Sequence, residues 1–291
     1  LFDMPREQLA HYKGINPKPK DFDEYWKRGK KEAENIDPEV TIKASDFKVP
    51  FAVCSHMYFT GVGGARIHAK LVQPIKETKK HPAILIFHGY SGNSGDWTCL
   101  LPYAACGYTV AAMDCRGQGG LSEDKGGVVG NTLHGHIIRG LDDNPEKLLF
   151  RQIFLDTYQL SRVVMSMPFV DPDRIGATGG SQGGGLTIAC AALQPRIKLA
   201  APLYPFLCDY LRVWKIDQAQ HAYEEIKQYF RLFDPLHKRE EEIFTKLGYI
   251  DVQHMAPWIK AEILMFVGHM DTICPVSYTH LRAHETPEHL V

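Results

Sequence analysis

Hydrophobic positions along the chain follow two different periods. Up to about residue 75 they alternate every second residue, and Thr41 to Phe47, Phe51 to Phe59 and Ala65 to Val72 read as strands, with Gly61-Val62-Gly63-Gly64 as a turn. These predict antiparallel strands at one edge of a sheet. A helix over Asp21 to Glu34 precedes them, because Asp21 and Glu24 stand at capping-box spacing and Phe22 and Trp26 share one face. The glycines at 61 to 64 do not make a phosphate loop, since neither Lys-Ser/Thr nor a helix follows.

From Pro82 onward strands alternate with helices. Ala83 to Phe87 is continuously apolar, as in a strand covered on both faces, and Trp97 to Cys106 has helical spacing. Tyr108 to Met113 is a second buried strand. Ile153 to Met167 is a long amphipathic helix with Ile153, Leu160, Val163, Val164 and Met167 inward, stopped by Pro168. The strands Ile175 to Thr178, Leu199 to Leu203 and Ile263 to Val267 follow, with a helix at Leu186 to Leu193. Repeated strand-helix-strand units predict an α/β fold, a mostly parallel, doubly wound sheet in a single domain spanning residues 1–291. The N-terminal helix and edge strands fill residues 1–75. Two stretches interrupt the alternation. Gly117 to Asn144 is too long and polar for an ordinary connection and is expected to be a functional or interface loop. The stretch Cys208 to Ile259 is a charged helical insertion with helices near Ala219 to Leu232 and His237 to Leu247, expected to cap the strand ends as a lid or to line an oligomer interface.

Composition narrows this picture rather than changing it. The 291 residues are 44% hydrophobic and 23% charged with a formal net charge of −1, so no bulk field favours nucleic acid or an anionic membrane. The basic run from Lys27 to Lys31 is interleaved with Glu32 and Glu34 and reads as a solvated helix face. No apolar stretch approaches the roughly 18 residues of a membrane span. Seven cysteines without a C-x-x-C pair read as buried free thiols in a reducing compartment rather than disulfides or zinc ligands, and with no signal peptide visible a cytoplasmic location is expected.

The chemistry centres on Gly179-Gly180-Ser181-Gln182-Gly183, between a strand and a helix. This is the G-x-S-x-G pattern of a nucleophile elbow, in which a serine on a sharp turn has strained backbone angles and leaves no room for neighbouring side chains. A Gly-rich connector with an incidental serine would need neither the strand before nor the helix after. In open parallel sheets the site lies beyond the carboxyl ends of the strands. The loop after Phe87 carries His88-Gly89-Tyr90, and in an elbow hydrolase it supplies one oxyanion N–H while the residue after the serine supplies the other. The hole is therefore assigned to the backbone N–H groups of Tyr90 and Gln182. His88 is expected to stabilise its loop, because the triad order Ser, Asp, His puts the base after Ser181. Arg116 and Gln118 are expected to support the floor of the site. The loop Gly268-His269-Met270-Asp271 follows the last strand, and Asp271 is the candidate acid.

The motifs Arg116-Gly117-Gln118, Gly179 to Gly183, Pro19 to Trp26 and Asp171-Pro172-Asp173-Arg174-Ile175-Gly176 resemble the acetyl xylan esterase and cephalosporin-C deacetylase family, carbohydrate esterase family seven of the α/β-hydrolase superfamily. The resemblance covers about Leu9 to Pro275. It implies an intracellular serine esterase without metal or other cofactor that deacetylates small acetylated sugars, such as xylo-oligosaccharides, and related esters such as cephalosporin C. It also implies a homo-oligomer, a ring-shaped hexamer with active sites facing an internal cavity. A prolyl-oligopeptidase-like peptidase, which has a similar elbow, is the alternative enzyme. A scaffold with a vestigial or truncated site is the non-enzymatic one.

The family closes its triad with a His-Glu pair, and His284-Glu285 has that form. It follows Asp271 by only 13 residues, however, where a crossover of about 10–12 residues and a strand of about five should fit. His289 fares little better. Residues 276–286 resemble the translation of a sequencing adapter, so the tail 276–291 is expected to be non-native, the C-terminal helix and strand to be missing, and the catalytic His to be unknown. Activity of the chain as given is then expected to be close to background.

Overall fold

The computed structural model describes residues 3–9, 11–75, 79–128, 135–217 and 221–279, and its strand-forming runs join a single mixed sheet. Among the described residues, β1 (Thr41–Ala44), β2 (Ala52–Thr60), β3 (Arg66–Pro74), β4 (His81–Phe87), β5 (Thr109–Met113), β6 (Val170–Gly180), β7 (Leu199–Leu203) and β8 (Glu262–Ile263) lie in the order β1-β2-β3-β5-β4-β6-β7-β8. β1, β2, β3 and β5 pair antiparallel in turn, and β5, β4, β6, β7 and β8 pair parallel. The chain leaves β4 towards β5 on one side and then returns to β6 on the other. The winding therefore reverses between β4 and β6, and open parallel sheets carry their sites beyond the carboxyl ends of the strands at such a point. This is the α/β-hydrolase fold.

Period-two alternation in the central strands feeds two cores. Leu85, Phe87, Ala111 and Met113 point into a large cluster, and Ile84, Ile86, Val110 and Ala112 into a smaller one. The smaller core is closed by the helix Trp97–Ala105 through Leu100 and Ala104. On the other face the helices Leu149–Ser166 and Gln182–Leu193 lie against the sheet, and every residue of the second is buried. The N-terminal helix Phe22–Glu34 packs outside them, with Trp26 stacked on Phe154 at 5.7 Å and its indole N–H donating to the Tyr249 carbonyl at 3.0 Å.

Several boundaries differ from expectation, for local reasons. β1 stops at Ala44 because the Ser45 hydroxyl accepts the Phe47 N–H and turns the chain, which lets Phe47 stack on Trp97. The Asp21 side chain sits at the helix N-cap without capping it, since its carboxylate is taken by the Tyr249 hydroxyl and Arg28. The last strand is regular only at Glu262–Ile263, after which a single bridge joins Leu203 and Phe266. Residues 218–220 of the insertion lie outside the described residues, and its second helix runs over Glu224–Phe233. The seven cysteines are free, but Cys99 and Cys106 are exposed rather than buried. Residues 280–291, and with them His284 and His289, lie outside the described residues, as do residues 129–134 of the long loop.

An N-terminal strap is fastened to the insertion by two buried carboxylates. Asp209 accepts from the Tyr12 hydroxyl at 2.7 Å and the Asn16 N–H at 2.8 Å, and its own N–H donates to Asp251 at 2.9 Å. Asp251 also accepts from the Gln253 N–H and side-chain amide. Burial, with the Asp209 charge adding, pushes the Asp251 carboxyl up to about 8. Its folded value lies above the unfolded value of about 3.9, so the folded state holds the extra proton in between and stability falls as pH rises from about 4 to about 8. The urea midpoint is expected to fall over this window, and to fall less in Asp251→Asn, which cannot titrate. An unchanged slope in that variant would remove Asp251 as the cause.

Candidate active site

β6 ends at Gly180 and the next helix starts at Gln182, leaving Ser181 alone on the turn with φ 55° and ψ −118°. An L-residue held at positive φ costs about 1–3 kcal/mol and persists only where its surroundings over-determine it. Here the Ser181 N–H donates to the Leu203 carbonyl at 3.0 Å, and its carbonyl accepts from Gly185 at 3.1 Å and Phe206 at 3.0 Å. The flanking glycines answer to space. A Cβ on Gly179 would lie 2.4 Å from the Phe87 carbonyl oxygen, and one on Gly183 only 2.1 Å from the same atom. The end of β4 is thereby brought against the elbow, and the loop that leads to Tyr90 starts beside the helix, where the Gln182 side-chain amide donates to the His88 carbonyl at 3.4 Å.

Among the described residues, no hydrogen-bond acceptor takes the backbone N–H of Tyr90 or of Gln182. The Gln182 N–H is the first of its helix, where the free donors and the positive dipole end favour negative charge. Its side chain is buried and exchanges two hydrogen bonds with the Gln118 amide, at 2.9 and 3.0 Å, so the Arg116-Gly117-Gln118 loop grips the helix start. Arg116 anchors that loop in turn. Its guanidinium forks onto Asp156 through two bonds of 2.7 Å and reaches Gln152 and the Val62 carbonyl, with both charges buried.

His88 is committed on both ring nitrogens. The Cys115 N–H donates to Nε2 at 3.0 Å, so Nδ1 carries the proton and donates to the Gly89 carbonyl at 2.7 Å. Burial holds this imidazole below its ordinary value, and it stays neutral. A second tie between the loops, not foreseen from the sequence, is Asp114. It accepts from the Ser94 N–H at 2.6 Å, the Leu121 N–H at 2.9 Å and the His68 ring at 2.6 Å. Burial alone would raise this carboxyl, but the three hydrogen bonds hold it well below the usual range.

Asp271 follows β8 on a turn closed by its own N–H to the Gly268 carbonyl at 3.0 Å. Its Oδ1 accepts the N–H groups of Ile273 and Cys274, each at 2.8 Å, and Oδ2 takes no hydrogen bond among the described residues. The turn carries the Cys274 thiol close to Ser181, and burial pushes that thiol up to about 12. Cys274 is therefore a neutral neighbour of the serine rather than a nucleophile. No described imidazole hydrogen-bonds Ser181, and His269 is exposed. Among the described residues no group of His, Cys, Asp and Glu could hold a metal ion.

Residues 1–284 match the acetyl xylan esterase family (AXE1). The chain is similar to the crystal structure of acetyl xylan esterase 1 from Thermoanaerobacterium sp. JW/SL YS485, with 60% identity and a TM-score of 0.94 over 95% of this chain and 87% of that one. It is also similar to an acetyl xylan esterase from Paenibacillus sp. R4, with 35% identity and a TM-score of 0.92 over 99% of this chain and 90% of that one. A more distant relative, acetyl esterase Axe7A of Xylanibacter ruminicola, is 24% identical over 273 residues, 90% of this chain. The chain spans 59% of that relative's length.

The glycines at the elbow offer a direct check. Gly183→Ala is expected to cost about 1–3 kcal/mol through overpacking against the Phe87 carbonyl. Gly176→Ala, on the same strand as Gly179 but with its nearest neighbour at 3.5 Å, is expected to cost far less. Equal thermal midpoints for the two variants would show that close approach does not set the elbow.

Proposed function

The chain belongs to the acetyl xylan esterase family, and from that premise we propose that it is a serine esterase that removes acetyl groups from acetylated xylo-oligosaccharides and related small acetyl esters such as cephalosporin C. The observation that carries this reading is Ser181 on a strained elbow, with the unclaimed N–H groups of Tyr90 and Gln182 on either side of the oxyanion position. Ser181 Oγ attacks the acetyl carbonyl carbon while its proton passes to an imidazole base oriented by Asp271. The two N–H groups meet the oxyanion as charge develops there. Collapse expels the sugar alcohol, which takes the proton, and water then releases acetate from the acetyl-serine by the reverse sequence of proton transfers.

We assign the base to no described residue. The free Oδ2 of Asp271 is the acceptor such an imidazole would need, and both His284 and His289 lie outside the described residues. With the base out of reach, the elbow and its hole would keep only the residual catalysis of a site lacking one triad member, about 10³–10⁴-fold over water. A peptidase of the prolyl-oligopeptidase kind is not favoured, because the family match runs through the esterase motifs. The free, mostly buried cysteines support a reducing, cytoplasmic setting. The proposed assembly is the homo-hexamer implied by the resemblance, and a solution mass of one chain would refute it.

In a chain whose imidazole base is in place, Ser181→Ala is expected to abolish enzyme-dependent turnover of p-nitrophenyl acetate, as removing the serine of a triad can cost on the order of 10⁶-fold. Turnover in that variant at the wild-type level would overturn the assignment of the nucleophile.

A further inference from the structure

One carboxylate in the insertion stands where no surface acid should. In the helix Glu224–Phe233, Glu224 faces solvent while Glu225 is only 2% exposed, in phase with the buried Ile226, Tyr229 and Phe230. A charge so deeply buried needs partners that satisfy it, and it has four. Its Oε1 accepts the Tyr90 hydroxyl at 2.5 Å, the His136 N–H at 3.1 Å and the Ile137 N–H at 2.9 Å, and its Oε2 accepts the Ile138 N–H at 3.3 Å. The His136 N–H is shared with the Tyr90 hydroxyl oxygen at 2.8 Å, which closes a small ring of hydrogen bonds. Gly135 leaves the room this requires, since a Cβ there would lie 2.2 Å from Oε2.

We propose that Glu225 is a positioning residue of the oxyanion hole: by holding the Tyr90 hydroxyl and the 136–138 backbone on one carboxylate, it anchors Tyr90, and with it the Tyr90 N–H, from the side of the insertion. The inference rests on the reading of the Tyr90 N–H as an oxyanion donor. The geometry argues for positioning rather than simple support. The Tyr90 N–H shares one planar peptide with the Gly89 carbonyl, which accepts from His88 Nδ1 at 2.7 Å and from the Gly92 N–H at 3.1 Å, so the loop sets the tilt of that peptide and the Tyr90 side chain anchors its far end. Its ring supplies that anchor, edge-on to Phe206 at 5.7 Å and tied at its tip to Glu225. Because the carboxylate comes from the insertion, 135 residues away in sequence, the donor is held from both sides when the insertion is seated.

Two variants test this. Tyr90→Phe keeps the backbone N–H and removes only the hydroxyl, and Glu225→Gln keeps the shape but turns an amide N–H₂ towards N–H donors. The readout is labelling of Ser181 by a fluorophosphonate, followed by mass spectrometry as a function of probe concentration, because the phosphoryl oxygen occupies the hole in the transition state and not in the encounter complex. The maximal labelling rate is expected to fall about tenfold in Tyr90→Phe and further in Glu225→Gln, short of the roughly hundred- to thousandfold for loss of a donor outright. The half-saturating concentration should stay unchanged. Wild-type labelling rates in both variants would overturn the inference, whether or not their melting temperatures fall. Unfolding of both would do so too, assigning Glu225 to the fold alone. All variants are compared in a chain whose imidazole base is in place, where absence of Ser181 labelling without either substitution would instead defeat the esterase reading, and this inference with it.

Discussion

Everything in the site depends on how closely three backbones approach one another at the end of β4. The Phe87 carbonyl oxygen occupies the space that a Cβ of either Gly179 or Gly183 would need. Gly184 and Gly185 continue the contact, facing the carbonyls of Leu203 and Phe206. The elbow helix therefore lies directly on strand and loop backbone, and its first turn cannot drift. Ser181 pays for this with a positive φ, which its three backbone hydrogen bonds hold in place. Shifting the helix by the width of one methyl group would separate Ser181 and the Gln182 N–H from the Tyr90 N–H.

Around this contact the loops are fixed by polar pairs that the sheet does not supply. The Arg116–Asp156 fork ties the loop after β5 to the long helix, and the Gln118–Gln182 pair ties it to the elbow. Asp114 joins the same loop to Ser94, and His88 bridges between them. Each of these groups is buried or nearly so, and each makes several hydrogen bonds. That is the condition under which buried polar groups add definition to a structure rather than cost it stability. The site is rigid on the side of the sheet for this reason. On the side of the insertion it depends on fewer contacts, chiefly the Tyr90–Glu225 bond and the strap held by Asp209 and Asp251.

Much of this was legible in the amino-acid sequence. The period of the apolar residues located the strands and helices, since alternation and helical spacing are local properties of a few neighbours. The elbow could be read because its requirements, a strand, two close glycines, a serine and a helix, all fall within consecutive residues. That Ser181, Tyr90, Gln182 and the loop carrying Asp271 stand just beyond strand ends followed from the order of the strands. The boundaries that moved, at Ala44 and in the last strand, moved because hydrogen bonds to single side chains or to a neighbouring strand outweighed local preference.

The remainder was decided by distance in space. Glu224 and Glu225 are the same residue type side by side, and only the phase of the helix against Ile226, Tyr229 and Phe230 hinted that one of them turns inward. Which hydroxyl it would meet could not be known before the insertion was folded over the sheet. The same holds for Asp209 with Asp251, for Asp114 with His68, and for the thiol of Cys274 beside Ser181. A sequence specifies local geometry and reactive groups because these depend on adjacent residues. The electrostatic setting of those groups depends on what the tertiary structure buries beside them, and burial is a property of the whole fold.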